Sequence, residues 1–525
     1  MPAATAFRSP SARLRRPASS ASGQSYAGRA LEIGVLLLSM LAALYASSRW
    51  VHPAWSLVAL ANYGWLCALV FRLEPRGAVL FLPQMFNGAS CLVALIMIES
   101  GGEMFELGLV GRAGPWSSAL VLSDLMLCIG FLLTFRTLIR ALDRRGEYAL
   151  SPLLDRYANA LAMIALALTA VIALALVVRG LQYGFPLLAG IDRFSFRRFA
   201  ADKVTLYALN LKFVIGYALG FVAFALPARP WLRKAAIGTF AGMMALYFLF
   251  GDKFFTQLGF LSAFGSPYLY RHYAKVGRRI WLYAIIAAIA LSGVMTMTTY
   301  IYSKGFTETR AATVKRLSGR MVGQGELWFL QSSIGAPLID WNATLIERYA
   351  QSFTVKATDL FAAQNSLGAH YFSNRYAPDY LRSSLHRNAG SVTYTEVAEP
   401  MGLVLFGWLG LGLMMAIVGM LVGLACSYMA YAIENRSLLS ALFAAYVLNQ
   451  LQASIVQAAP WVIGSIYSLR WLVVILIIEL GLLLLGQGGA RSRPRHRRDR
   501  RLPPRAIQQA AERAIERPLD QHVHR

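Results

Sequence analysis

Charge is what this 525-residue chain has least of: Asp, Glu, Lys and Arg together make 15% of it, against 57% hydrophobic residues. That ratio excludes a disordered or solvating chain. Cysteine is scarce as well. The four, Cys67, Cys91, Cys128 and Cys426, share no CxxC spacing, which excludes a disulfide framework and a thiolate metal centre. There is no Walker motif and no GxGxxG between a strand and a helix, so ATP-driven transport has nothing to run on. No repeat relates the two halves, which argues against a transporter of duplicated bundles.

What is there instead is long apolar runs bounded by charge. They predict twelve spans, near 30–48, 54–71, 78–98, 115–135, 158–178, 205–226, 235–250, 255–270, 280–300, 402–432, 438–456 and 471–486. The 255–270 run is short and the 402–432 run is long, as a re-entrant or bent segment would be. The expected fold is all-α: a polytopic integral membrane protein of about twelve transmembrane helices. It divides into a basic N-tail (1–29), helices one to nine (30–300) with an outer loop at 179–204, a large outer loop (301–401), helices ten to twelve (402–486) and a basic C-tail (487–525).

Acidic residues are outnumbered 26 to 51, a formal charge of +25 that invites a nucleic-acid reading. Sorting it by side removes the invitation. With both termini cytoplasmic, the cytoplasmic segments carry roughly +22 and the outer ones roughly +5. The excess is therefore topology, and no nucleic-acid partner is expected. The Arg- and Ser-rich N-tail also has the composition of a transit peptide, but the C-tail has the same character, which favours two solvated cytoplasmic tails.

Chemistry concentrates in the outer segments. The loop RGLQYGFPLLAGIDRFSFRRFAADKV (179–204) gathers Arg193, Arg197, Arg198 and Lys203 on the side where positive charge is disfavoured. Guanidinium forks suit phosphate oxygens; the same arginines also suit Asp192, Asp202 or lipid headgroups. FGDKFFTQLGF (250–260) sets Lys253 beside Asp252, as an anion contact or an interfacial anchor.

The 301–401 loop is longer than a connector needs to be, and Trp328, Trp341, Tyr349, Phe361, Tyr371, Phe372, Tyr376 and Tyr380 make it too aromatic for disorder. Arg316 and Arg320, four apart, share one helix face and can grip one polyanion, or lie with that face on the membrane surface. Glu326, Trp328 and Gln331 supply a carboxylate, a flat ring and an amide of the kind that contact sugars. In GSVTYTEVAEPMGLVLFGWLG (390–410), Glu396 and Glu399 sit where the chain re-enters the membrane, suited to take a proton from a sugar hydroxyl. Glu399 equally suits the first turn of a helix that Pro400 starts. His370 and His386 rank below the glutamates.

Together FPLLAGIDRFSFRR, GDKF, RLSGRMVGQGELWF and GSVTYTEVAEPMGLVLFGWLG, in this order on twelve spans with the largest outer loop late, resemble the O-antigen polymerase-like bacterial membrane proteins. These oligosaccharide repeat-unit polymerases are related to the O-antigen ligases. The resemblance covers roughly residues 30–486. It implies a GT-C-like membrane glycosyltransferase, inverting, without metal or other cofactor, in the bacterial inner membrane. Such an enzyme joins undecaprenyl pyrophosphate-linked units at the outer face, with a chain-length regulator and a flippase as partners. It also implies pyrophosphate contacts at Arg193, Arg316 and Arg320, with Arg197, Arg198 and Lys253 behind them. The 390–410 motif has no histidine, so the base falls to Glu399, Glu396, Glu326 or an outlying His370. Pyrophosphate leaves without acid help, so one base and several cations suffice. Ligase chemistry fits the same donor end. A transporter or flippase of lipid-linked sugars is the rival from another class, disfavoured by having only Glu32, Asp124, Lys212 and Glu479 as charges inside spans.

Overall fold

The computed structural model describes residues 26–104, 107–145, 151–191, 196–197, 199–251, 254–276, 318–319, 321–352, 367–379, 382 and 397–457, with a few positions between 473 and 481. It is 84% helix. The one sheet among these residues is a hairpin, β1 (Glu103–Met104) with β2 (Leu109–Val110), where Glu103 pairs Val110 and Met104 pairs Leu109.

The early helices are α1 (Tyr26–Arg49), α2 (Ala54–Leu73), α3 (Pro75–Glu99), α4 (Trp116–Arg145) and α5 (Ser151–Tyr183), followed by a single turn, α6 (Pro186–Ala189). Next come α7 (Lys203–Asn210), α8 (Lys212–Phe224), α9 (Pro230–Leu249) and α10 (Phe254–Val276). After a stretch outside the described residues follow α11 (Glu326–Ser333), α12 (Ala343–Ser352), α13 (Ala369–Tyr376), α14 (Ala398–Glu434) and α15 (Leu438–Gln457).

Seven of these are long and apolar enough to cross a membrane, or up to eight if α7 and α8, bent by 64° across Leu211, are one span. They are α1 to α5, α14 and α15, which coincide with spans expected from the sequence. The helices at the seventh and eighth expected spans form, but fall short of that standard. α9 carries Arg233 and Lys234 in its first turns, and α10 contains Pro267 and a kink at His272. The ninth expected span lies outside the described residues, as does most of the twelfth.

Contacts between helix ends sort the chain into two ends of one bundle. At the first, Arg76 stacks over Tyr273, Tyr270 donates to Glu434 at 3.3 Å, and Arg271 donates to the carbonyls of Phe224 and Ile433. The backbone N–H of Arg229 donates to Asn159 there too. At the second, Trp328 meets Trp116, Arg179 pairs with Asp202, Phe185 meets Phe250, and the N–H of Val397 donates to the carbonyl of Val456. Successive helices run between these ends in alternation, α9 and α10 included. We call the second the loop-rich end.

The centre of the bundle is α4 against α14, and glycine makes it close. A methyl at Gly419 would stand 2.0 Å from the carbonyl oxygen of Leu127, and one at Gly130 would stand 2.0 Å from that of Ala416. Gly412, Ala416, Gly419 and Gly423 fall on one face, the small-residue stripe that lets membrane helices bring their backbones together. Position 419 meets 127 and 423 meets 131, so the two helices are parallel.

α14 does not run straight from its start. Gly407 breaks it at φ 68°, ψ −167°, and Gly402 lies against the side chains of Leu411 and Met414. In a continuous helix, 402 and 414 would be about 18 Å apart. Residues 398–406 therefore fold back beside the residues after the break. The strand-like segment 337–342 crosses the bend and satisfies its backbone: Asp340 N–H donates to Phe406, Asn342 N–H to Leu405 and Trp408 N–H to Pro337.

Candidate functional site

The loop-rich end assembles two clusters from the segments that stood out in the sequence. The first is cationic. Phe185 and Phe196 both set their edges against Phe250, with ring centroids 5.6 and 5.3 Å apart, so both rings pack on the turn that precedes GDKF. Arg197 lies half-buried on that loop. Arg193, Arg198 and Lys253 lie outside the described residues. The loop is fastened at its far end by Asp202, whose Oδ1 accepts the Thr205 N–H at 2.8 Å and caps α7, while its Oδ2 takes Arg179 at 2.8 Å. The Thr205 N–H first, and Arg179 with it, pull the Asp202 carboxyl down to about 2. Lys203 is exposed beside it.

Beneath this loop is a lysine that sequence reading listed only as a charge inside a span. Lys212 opens α8 at the 64° bend and is buried, its Nζ 5.2 Å from the centre of the Tyr247 ring. Tyr247 in turn donates its hydroxyl to the carbonyl of Ala208, spanning the bend.

The second cluster is acidic. α11 is drawn into the bundle against α3, α4 and α14, with Gly325 fitted against Ala94 and Leu95. Glu326, at its first turn, is 0% exposed. Trp328 is 1% exposed, its N–H given to the Trp116 carbonyl at 2.9 Å and its ring edge-on to Trp408. This corrects its expected role: a ring closed in on this scale has no free face for a sugar, and it serves to lock α11 between α4 and α14. Gln331 gives its amide to the Tyr376 hydroxyl at 2.6 Å, tying α11 to α13. Trp341 is the open ring of the segment, 70% exposed and leaning on Phe406. His370 is half-buried on α13, and desolvation there holds its imidazole below the usual range.

Glu399, expected where the chain re-enters the membrane, lies in the first turn of α14. The fold-back carries it inward until it is 9% exposed and within electrostatic reach of Asp124 on α4. Glu396, Arg316 and Arg320 lie outside the described residues.

One buried acid escaped sequence reading. Glu99, the last residue of α3, accepts from the Ser117 N–H at 2.8 Å, the Ser117 hydroxyl at 2.7 Å and the Ser56 hydroxyl. A carboxylate on the first-turn N–H groups of α4 is a helix cap supplied by a neighbouring helix. The only signal for it was an acid one residue past the end of the expected 78–98 span.

Among the described residues no group of three His, Cys, Asp or Glu side chains is placed to hold a metal ion.

A model described as a family of unknown function (DUF6418) matches residues 362–475, the stretch that contains α13, Glu399, the break at Gly407 and α15. No curated protein and no solved structure matches the chain. Fold and helix composition together define a multi-pass α-helical membrane protein.

Proposed function

We propose that the chain is a membrane glycosyltransferase that polymerises lipid-linked oligosaccharide repeat units, with undecaprenyl pyrophosphate as the leaving group. The observation that carries this reading is the packing of Phe185 and Phe196 on Phe250. It sets Phe196, the neighbour of Arg197, beside the residue that precedes GDKF, far away in sequence, at the loop-rich end. Displacing pyrophosphate from an anomeric carbon builds negative charge on the departing oxygens, and fixed cations lower that barrier. Arg193, Arg197, Arg198, Arg316, Arg320 and Lys253 are the proposed phosphate contacts, and Lys212 joins them from below. The base is Glu399 or Glu396, with Glu326 behind them. Trp341 replaces Trp328 as the proposed sugar platform. The loop-rich end is the outer face of a bacterial inner membrane, and the opposite end, with Arg76, Arg229, Arg233, Lys234 and Arg271, faces the cytoplasm.

A transporter of lipid-linked sugars is the second reading. The breaks at Leu211 and Gly407, with Lys212 and Asp124 buried beside them, favour it, since interrupted helices and buried charge mark substrate paths in carriers.

Ladder gels of surface polysaccharide separate the two. Cells lacking the chain and supplied with Arg197→Ala or Glu399→Gln should show short ladders while single units still reach the surface. Units trapped on the cytoplasmic face would move the assignment to the transporter, and full ladders from both variants would remove these residues from the site.

A further inference from the structure

Between α11 and α12 the chain reads SIGAPLIDW (333–341), four large apolar residues with a single charge. Ile334, Leu338, Ile339 and Trp341 are each 61–70% exposed, although Leu327 and Leu345 on either side are buried. The charge, Asp340, accepts the N–H of Trp341 at 2.7 Å. An outer loop bathed in water would leave all four apolar side chains wet, and a contiguous patch of that kind marks a contact surface.

The segment is fixed at a definite level of the bundle. The carbonyl of Leu338 accepts the N–H of Leu409 at 3.0 Å, that of Pro337 accepts Trp408 at 3.2 Å, and the Trp341 ring stands 5.9 Å from Phe406. From Leu409 onward α14 shows an exposed apolar stripe, Leu409, Leu413, Ile417, Leu421 and Leu424, spaced four or three residues apart. On a membrane span such a stripe is the face that lipid covers. The 334–341 segment is bonded to its first residue, so the lipid-facing surface of α14 continues onto the segment.

Counting along α14 gives the depth. From Trp408 to Tyr428 the helix rises about 30 Å, the thickness of the hydrocarbon. Tyr428 stacks on Tyr431 near the Glu434 end, while Trp408 and Trp341 stand at the loop-rich end. Aromatic rings at both borders are what membrane interfaces favour. The segment therefore lies at the border of the hydrocarbon and not in the water above it.

We infer that residues 334–341 insert into the leaflet at the loop-rich end, with Ile334, Leu338 and Ile339 among acyl chains and Trp341 at the level of the headgroups. The partner is bilayer lipid, and the assignment holds whatever reaction that end performs. It takes this stretch out of the aqueous part of the 301–401 loop. It also ties the bend at Gly407 to the membrane surface, because the segment that crosses the bend is the one that inserts.

Spin labels on the full chain in lipid vesicles test this. Labels at Leu338→Cys and Ile339→Cys are compared with Leu413→Cys on the α14 stripe and with Glu347→Cys at an exposed charged position of α12, each read against the chain without an added cysteine. Oxygen concentrates in lipid, and a nickel chelate stays in water. The oxygen-to-nickel collision ratio at Leu338 and Ile339 should match that at Leu413 and stand several-fold above that at Glu347. A ratio matching Glu347 overturns the inference. So do rare collisions with both reagents, which would mean cover by protein such as a second copy. If the labelled variants do not accumulate, wild type minus Trp341→Phe isolates the Trp341 fluorescence. Quenching of that share by lipids brominated near the headgroup supports insertion, and its absence overturns it.

Discussion

Trp328 gives its indole N–H to the backbone carbonyl of Trp116 at 2.9 Å, 212 residues away in sequence. The bond joins the start of α4 to a segment that composition alone places in a loop. The carbonyl already accepts within α4, so the group that needs this bond is the buried indole N–H, which has no water to turn to.

Replacing Trp328 with phenylalanine removes that donor and keeps most of the packed ring. The expected loss is about 0.5–1.5 kcal/mol for the hydrogen bond itself, since the carbonyl keeps its partner within α4. Trp328→Ala should cost about 3–5 kcal/mol by opening a cavity. Thermal unfolding in detergent measures both. Equal losses would mean that packing alone holds α11 in place.

Gly419→Ala and Gly130→Ala each put a carbon 2.0 Å from a backbone oxygen of the facing helix. Backbone cannot step aside as a side chain tip can, so the helices must separate, at about 1–3 kcal/mol or more. Gly34→Ala, where nothing lies within 4 Å, is the control and should be neutral. Yield of monodisperse protein and its melting temperature read out the contrast.

At Gly407 two costs coincide. Its φ of 68° is the left-handed region, and a Cβ would stand 2.6 Å from the Pro337 oxygen. Gly407→Ala should lose about 1–2 kcal/mol from backbone strain and more from the clash. Faster amide exchange at Asp340, Asn342 and Trp408, whose N–H groups cross the bend, locates the damage. Unchanged exchange there would mean that the bend tolerates a side chain.

Burial holds the His370 imidazole below its ordinary value, so the folded state favours the neutral ring. The unfolded chain takes up a proton near about 6.5. Stability tied to this residue is thus complete above that value and falls as the pH drops below it. His370→Gln should flatten the decline in protection of residues 369–376 between neutral and mildly acidic pH. A decline of the same size in the variant would place its origin elsewhere.

Hydropathy made α1 to α5, α14 and α15 legible, because crossing hydrocarbon leaves a mark on every residue of a span. The charge asymmetry likewise marked Arg76, Arg229 and Arg271, which do share one end of the bundle. The reversal at Gly407 left only the excess length of the 402–432 run as its mark, and nothing to say where the bend falls. Apolar residues on either side of it look alike whether the chain continues or turns back, and one glycine decides which. For the same reason Glu399 was placed only where the chain re-enters the membrane, and Trp328 was read as a flat ring suited to sugars. Their burial is created by the reversal of 398–406 and by the entry of α11, both of which depend on segments far away in sequence.

The parallel, glycine-lined contact between α4 and α14 also has a consequence for how the molecule is made. Synthesis delivers α4 to the bilayer long before α14, and two parallel neighbours cannot be laid down as a hairpin. Until the later helix arrives, the groove that will receive it, with Asp124 on its wall, faces lipid or a temporary occupant. Closure of the centre is thus a late step of folding, because the contact joins helices far apart in the chain.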